Sequence, residues 1–446
     1  MEAPSPAAAP SPAAAAPPVV SILDIARHEG QPVRIRGWLY NAAGKGKLLF
    51  LQVRDGTAVI QAVANRVELG DELFETLKRL GQESCLEVTG TVRADTRSKL
   101  GFELQVSGAE VLGAAEGYPI TPKEHGPAFL HDNRHLWLRS KRPHAVLSVR
   151  HLVVQAIRHY FDSRGFLLLD SPIFTPNACE GTSTLFETEY FGATAYLSQS
   201  GQLYQEAGAA AFGKTYCFGP TFRAEKSGTR RHLTEFWMVE PEIAFLDMDG
   251  LLDLCEDFLV EVVAYVLEHG RRHLVELERD ISKLEAVQKP FPRISYDDAC
   301  VRLAALGMPV EPEDDFGSPH ETLLTQQFDR PILVYGYPAA VKAFYMKPDP
   351  KNPLRALGVD TLAPEGYGEV IGGGIREDDL DALLHRIEHH NLPQAAFEWY
   401  LDLRRYGTFP HGGMGAGLER LVTWICGIHH IREAVPFPRT IDRLSP

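Results

Sequence analysis

The chain has 446 residues, long enough for two or three domains and a sizeable core. Hydrophobic residues make up 44% and charged residues 23%, the balance of a globular protein and not of a disordered or fibrous one. The net charge of −14 argues against a protein that coats nucleic acid indiscriminately, and no apolar run of about 18 residues is present to span a membrane. Six cysteines are widely spread with no C-x-x-C pair, which predicts free thiols in a reducing compartment and neither a disulfide frame nor a zinc site.

Residues 1–18 are almost entirely Ala, Pro and Ser, so a disordered tail is expected there; it lacks the basic start of a secretory signal, and a cytoplasmic protein is predicted. From 19 to 113 short β-rich runs follow one another: VRIRGWLY, KLLFLQVRD, AVIQAVA, SCLEVTGTVRA and FELQVSGAEVL. With Gly-containing turns and a helical stretch at 71–80, they predict a five-stranded β-barrel of the OB type. Residues 31–113 carry eleven Lys/Arg and ten Asp/Glu, a balance of +1, so the remainder of the chain holds −15. If one part touches a polyanion, the barrel is the better candidate.

A Pro/Gly/His-rich stretch at 114–135 reads as a hinge, and 136–446 as one large α+β domain built on an antiparallel sheet flanked by helices, with a helical insertion near 250–290. Within it, 147–172 has helical spacing through Tyr160, breaks at Gly165 and reads as a strand ending at Pro172. The segment 218–242, FGPTFRAEKSGTRRHLTEFWMVEPE, reads as a hairpin. It gathers Arg223, Arg230, Arg231, His232, Glu225, Glu240, Glu242 and Phe236, too many charges to bury without a ligand that pairs with them. Finally 411–420, HGGMGAGLER, alternates glycines along a strand and leaves one face bare for a flat ligand or another backbone. Neither a P-loop nor a dinucleotide fingerprint is present.

In order and wording, these three segments resemble motifs 1, 2 and 3 of class II aminoacyl-tRNA synthetases. The N-terminal OB domain resembles the aspartyl/asparaginyl/lysyl subgroup, and AEKSGTRRHLTEFWMVEPE, YLSQSGQLYQE and HIREAVPFPRT are closest to the asparaginyl-tRNA synthetases. The resemblance implies ATP-dependent joining of asparagine to its tRNA through an adenylate, with Mg²⁺ on the ATP phosphates and a homodimer formed through the 147–162 helix and Pro172. By the same resemblance Arg223 holds the α-phosphate, Glu225 reads the adenine amino group, and Arg231 and His232 lie in the phosphate-contacting loop. Phe236 stacks under the adenine, Arg420 covers its other face, and Gly417 leaves room for it. Asp360 and Glu369 match the Mg²⁺-binding carboxylates, a hard-oxygen pair.

For the amino acid, the resemblance points to Glu180, Ser200, Gln202, Glu206, Glu240, Gly373 and Arg376. Aspartyl enzymes have a lysine where this chain has Gln205. Asparagine offers one acceptor and one two-proton donor, so Arg376 is expected to donate to its side-chain carbonyl and Glu206 to accept from its amide. Gly374 and Ile375 depart from the serine and glutamine common in relatives. In the barrel, Phe50 and Gln61 match positions that stack on and hydrogen-bond the middle anticodon base, with Arg36 and Glu103 nearby. A non-catalytic OB module, an asparagine-forming paralogue and an aspartyl enzyme of relaxed specificity are the competing readings.

Overall fold

The computed structural model describes residues 16–179, 185–311 and 313–445. They fall into two compact units, divided between His125 and Gly126. In the first, β1 (Pro32–Lys45), β2 (Leu48–Arg54), β3 (Val59–Asn65), β4 (Cys85–Ala94) and β5 (Phe102–Gly113) close a barrel in the order β1-β2-β3-β5-β4. Period-two alternation sorts the faces: Leu49, Leu51, Val53, Ile60 and Ala62 point inward, which leaves Phe50 and Gln61 on the outside. Helix α1 (Asp71–Arg79) adds Phe74 and Leu77 to the barrel core.

The second unit is built on an eight-stranded sheet. Its elements in chain order are α2 (Lys141–Asp162), β6 (Leu167–Leu168), α3 (Gln202–Phe212), β7 (Lys214–Phe222), β8 (Glu235–Ala244) and α4 (Met248–Glu276). They continue with β9 (Arg293–Ser295), α5 (Ser318–Thr325), β10 (Ile332–Tyr335), β11 (Gly358–Ala363) and β12 (Gly368–Ile375), then α6 (Glu398–Arg405), β13 (His411–Gly417) and α7 (Leu418–Cys426). The strand order is β9-β10-β11-β12-β13-β8-β7-β6. The six inner strands are antiparallel, whereas both edge strands pair parallel.

Three expectations change. Helix α2 begins at Lys141, six residues before the expected start, because Pro143 sits in the first turn, where proline is tolerated. After Gly165 only Leu167 and Leu168 pair as a strand. The helix expected as an insertion, α4, belongs to the main core: it buries Leu251, Cys255, Phe258, Val262 and Val266 at helical spacing, and it approaches α2 where a Cβ on Gly270 would lie 2.7 Å from Leu152. Gly374, one of the two departures from relatives, lies under Met346, whose sulfur fills the space a side chain would take.

Candidate active site

The hairpin β7/β8, the strand β12 and the β13/α7 junction frame a cleft of about 260 Å³. It brings together Arg223, Glu225, Arg231, His232 and Phe236 from the first of these, Glu369 from β12, and Gly415, Gly417 and Arg420 from the third. The guanidinium of Arg223 stands 5.4 Å from the centre of the Phe236 ring, a spacing for stacking. The glycine strand serves both expected purposes. Gly413 is where the Pro241 carbonyl and Glu242 close in, while Gly415 and Gly417 line the open cleft.

Arg231 reaches the cleft wall with its donors engaged: Nη1 donates to Glu321 at 2.8 Å and Ser318 at 3.2 Å, and Nη2 to Thr322 at 2.9 Å and the Gly366 carbonyl. Burial, with a contribution from Glu369, pushes the Glu321 carboxyl up to about 7. His232 is exposed on the loop between β7 and β8, and its Nδ1 meets the hydroxyls of Ser227 and Thr229.

Asp360 on β11 and Glu369 on β12 each carry a cation on one oxygen. Lys342 Nζ is 2.8 Å from Asp360 Oδ2, and Arg420 Nη1 is 2.8 Å from Glu369 Oε2 and 3.0 Å from the Glu369 carbonyl. The remaining oxygens converge on Gly372, where a Cβ would lie 2.9 Å from Glu369 Oε1 and 3.6 Å from Asp360 Oδ1. Two hard oxygens around a space that a side chain would fill suit a divalent cation shared with phosphate oxygens and water. Burial raises Asp360 to about 6, against Lys342; at Glu369 burial opposes the charge, but Arg420 and Lys342 outweigh it and hold the carboxyl below its usual range.

Beside this cleft lies a buried charged cluster. Arg376 grips Glu242 through two parallel bonds of 3.0 and 2.9 Å. Glu206 is fully buried and accepts from Tyr400 (2.8 and 2.9 Å to its two oxygens), Arg404 Nη2 (2.8 Å), His411 Nε2 (2.9 Å) and, at 3.3 Å, Gln202 Nε2. Burial opposes ionisation of Glu206, yet Arg404 and then His411 hold its carboxyl well below the usual range. The other nitrogen of His411 lies 2.8 Å from the Phe409 carbonyl. A carbonyl and a carboxylate both accept, so the ring donates from both nitrogens and is an imidazolium.

Glu206, Glu242 and His411 offer ligand atoms within 4.8 Å of one another. Arg376 and Arg404 already neutralise these acids, and the cluster is an ion-pair network and not a metal cage.

Of the other expected residues, Glu240 accepts from the Ser200 hydroxyl and, at 2.8 Å, from the Gly201 N–H, which fixes the start of α3. Gln205 turns away from the cluster to Leu169 and Ser171. Gly373 sits mid-strand, where a side chain would meet Met414 and Leu251, so only its main chain is available to a ligand. Glu180 lies outside the described residues. On the barrel, Gln61 Nε2 is 3.4 Å from Glu103 Oε2, and Phe50 pairs across to Val63 on the neighbouring strand, so these three share one outer face. Arg36 does not join them: its guanidinium is held by Glu87 on β4 at 2.7 Å, seven residues along β1 from Ala43, the partner of Phe50.

Sequence reasoning missed Tyr400, Arg404, His411, Lys342 and Glu321. Only His411 had a usable signal, its place at the head of the glycine strand.

Residues 127–441 match the family model described as tRNA synthetases class II (D, K and N), and 33–112 match the OB-fold nucleic acid binding domain. The chain is 58% identical over 442 residues to the asparagine–tRNA ligase of Sorangium cellulosum, covering 96% of this chain and 99% of that one. Among solved structures, it is similar to asparaginyl-tRNA synthetase from Pyrococcus horikoshii complexed with asparaginyl-adenylate, with TM-score 0.92, 45% identity and coverage of 94% and 97%. It also resembles the Entamoeba histolytica asparaginyl-tRNA synthetase in complex with asparaginyl-adenylate, with TM-score 0.86, 32% identity and coverage of 96% and 99%.

Proposed function

The chain belongs to the asparagine–tRNA ligases, class II aminoacyl-tRNA synthetases, and from that membership we propose how its residues carry out the ligation. The enzyme uses ATP to convert asparagine to asparaginyl-adenylate and then passes the asparaginyl group to tRNA. In the first step the asparagine carboxylate attacks the α-phosphorus and pyrophosphate leaves. In the second a terminal ribose hydroxyl attacks the acyl carbon and AMP leaves.

Arg223 holds the α-phosphate and offsets the charge that builds on it. Phe236 and the Arg420 guanidinium sandwich the adenine, and Glu225 accepts from its amino group. Asp360 and Glu369 would hold Mg²⁺, which would screen the charge of the phosphates. No protein nucleophile is needed, and positioning with electrostatic stabilisation supplies the acceleration. Convergence of Arg223, Glu225, Phe236, Glu369 and Arg420 on one cleft supports this reading most directly.

For the amino acid, Arg376 donates to the side-chain carbonyl and Glu206 accepts from the amide. An incoming amide takes the place of the Gln202 contact, the longest that Glu206 makes. Arg404 and His411 offset the charge of Glu206, so aspartate is rejected by hydrogen-bond polarity: two acceptors face each other with no proton between them. Glu180 is assigned to the substrate ammonium, and Glu240 supports the amino-acid site by holding Ser200 and the Gly201 N–H. Phe50, Gln61 and Glu103 read the anticodon of the tRNA for asparagine, and Arg36 is left out.

We further place the enzyme in the cytoplasm and as a homodimer. Exposed Ile173, Phe174, Tyr190 and Phe191, beside Pro172, offer the apolar surface a second copy covers. Purified protein mixed with ATP, Mg²⁺, asparagine and a tRNA transcript tests the function. Asparaginyl-tRNA with one AMP and one pyrophosphate per product supports it, and no charged tRNA refutes it.

A further inference from the structure

Glu206 is a buried carboxylate that must stay charged, stay oriented and keep one oxygen for a ligand. A buried charge is tolerated only when paired, and its orientation is fixed only if its donors are unevenly placed. Both conditions are met largely from α6, a helix outside the three class II motif segments that ends six residues before β13 begins.

Trp399 of α6 stacks on Tyr204 of α3 with centroids 5.0 Å apart and planes at 13°, which seats one helix along the other. The next residue, Tyr400, is fully buried and aims its hydroxyl at the carboxylate of Glu206, equidistant to within 0.1 Å from the two oxygens. One turn on, Arg404 packs its guanidinium 4.5 Å above the Tyr400 ring. It is anchored by two bonds to the Glu377 carbonyl, Nε at 2.9 Å and Nη2 at 2.7 Å, and Nη2 also reaches Glu206 Oε2 at 2.8 Å. His411 binds the same Oε2 from β13. Among the described residues the charged donors thus all sit on Oε2, and apart from Tyr400 only the long Gln202 contact occupies Oε1.

We propose that Tyr400 and Arg404 are positioning residues for asparagine selection: Arg404 holds Oε2 of Glu206, Tyr400 spans both oxygens, and together they leave the outer side of Oε1 aimed at the substrate amide. This rests on the reading that Glu206 accepts from that amide. The geometry gives each residue a separate task. Tyr400 supplies a neutral donor shared between the two oxygens, so the inner side of the carboxylate is satisfied without a second charge on Oε1. Arg404 supplies the charge, held in place by the Glu377 carbonyl so that it does not follow the substrate. Lysine keeps the charge but cannot hold both the carbonyl and the carboxylate with a planar fork.

Pyrophosphate-exchange kinetics on the full-length enzyme test the proposal, with Tyr400→Phe, Arg404→Lys and Glu206→Gln measured beside thermal unfolding. Loss of a hydrogen bond to a charged group predicts that Tyr400→Phe raises the KM for asparagine about tenfold and lowers the asparagine-to-aspartate preference, while the KM for ATP stays within about twofold. Arg404→Lys is expected to act in the same direction. An unchanged asparagine KM in both, with Glu206→Gln raising it, overturns the proposal and leaves the Glu206 reading standing. A parallel rise in both KM values with a lowered unfolding temperature also overturns it, because that marks a merely structural role. If Glu206→Gln leaves asparagine KM and selectivity untouched, the underlying reading itself fails.

Discussion

Arg150 of α2 donates to Glu419 of α7 at 2.7 Å, and the second oxygen of that buried carboxylate accepts the N–H of Trp237 in β8 at 2.9 Å. One carboxylate therefore ties together the three segments that carry the class II motifs. Burial raises the Glu419 carboxyl and Arg150 opposes that rise, so the pair is what makes the charge tolerable there.

Arg150→Met leaves the Glu419 charge buried without its partner and is expected to destabilise the catalytic unit by about 3 kcal/mol. The double variant Arg150→Met/Glu419→Gln is expected to recover part of that loss. Chemical denaturation followed by tryptophan fluorescence reads both. Equal stability of the single variant and the parent removes the pair from this role.

The barrel makes a separable prediction. Phe50 is on the outer face and contributes nothing to the barrel core, so Phe50→Ala is expected to leave adenylate formation intact. Loss of one stacked base weakens the use of tRNA by about 1–3 kcal/mol, roughly five- to 150-fold in KM. Comparing charging with pyrophosphate exchange separates the two. A fall in both would place Phe50 in the fold and not in RNA reading.

The barrel was legible because its strands alternate with period two, and the hairpin and glycine strand because their chemistry is local. Arg404, Tyr400 and Lys342 were not. Each acts on an acid from a different segment, Arg404 on one 198 residues away, and no local spacing encodes such a meeting. The engagement of Arg231 with Glu321 was hidden for the same reason. Helix α4 read as an insertion because its apolar positions look alike in a satellite helix and a core helix; only its packing on α2 and the sheet decides between them.

A pH dependence follows from His411. Burial works against its charge, but the hydrogen bond and attraction to Glu206 outweigh it and raise the group above its ordinary value. A raised folded-state value means that this contribution to stability is fully present below about pH 6.5, the unfolded value, and is lost as pH rises through the folded one. The difference in unfolding temperature between the parent and His411→Asn is therefore expected to shrink from pH 6 toward pH 9. A difference that grows over that range contradicts the imidazolium assignment.

Magnesium dependence tests the carboxylate pair. Asp360→Asn keeps the shape but removes the charge of one of the two oxygens facing Gly372, and the Mg²⁺ concentration giving half-maximal exchange is expected to rise about tenfold or more, with the KM for asparagine little changed. Titration of Mn²⁺ into the ATP-bound variant by electron paramagnetic resonance gives the same comparison without turnover. Unaltered metal affinity would move the site elsewhere.

Selection of asparagine is the central claim, and amino-acid-dependent pyrophosphate exchange on the purified chain tests it most directly. Asparagine is expected to drive exchange, with aspartate at least about a hundredfold weaker in kcat/KM, the scale on which an unmatched buried polar group rejects a near-isostere. Exchange driven equally by aspartate would contradict the account.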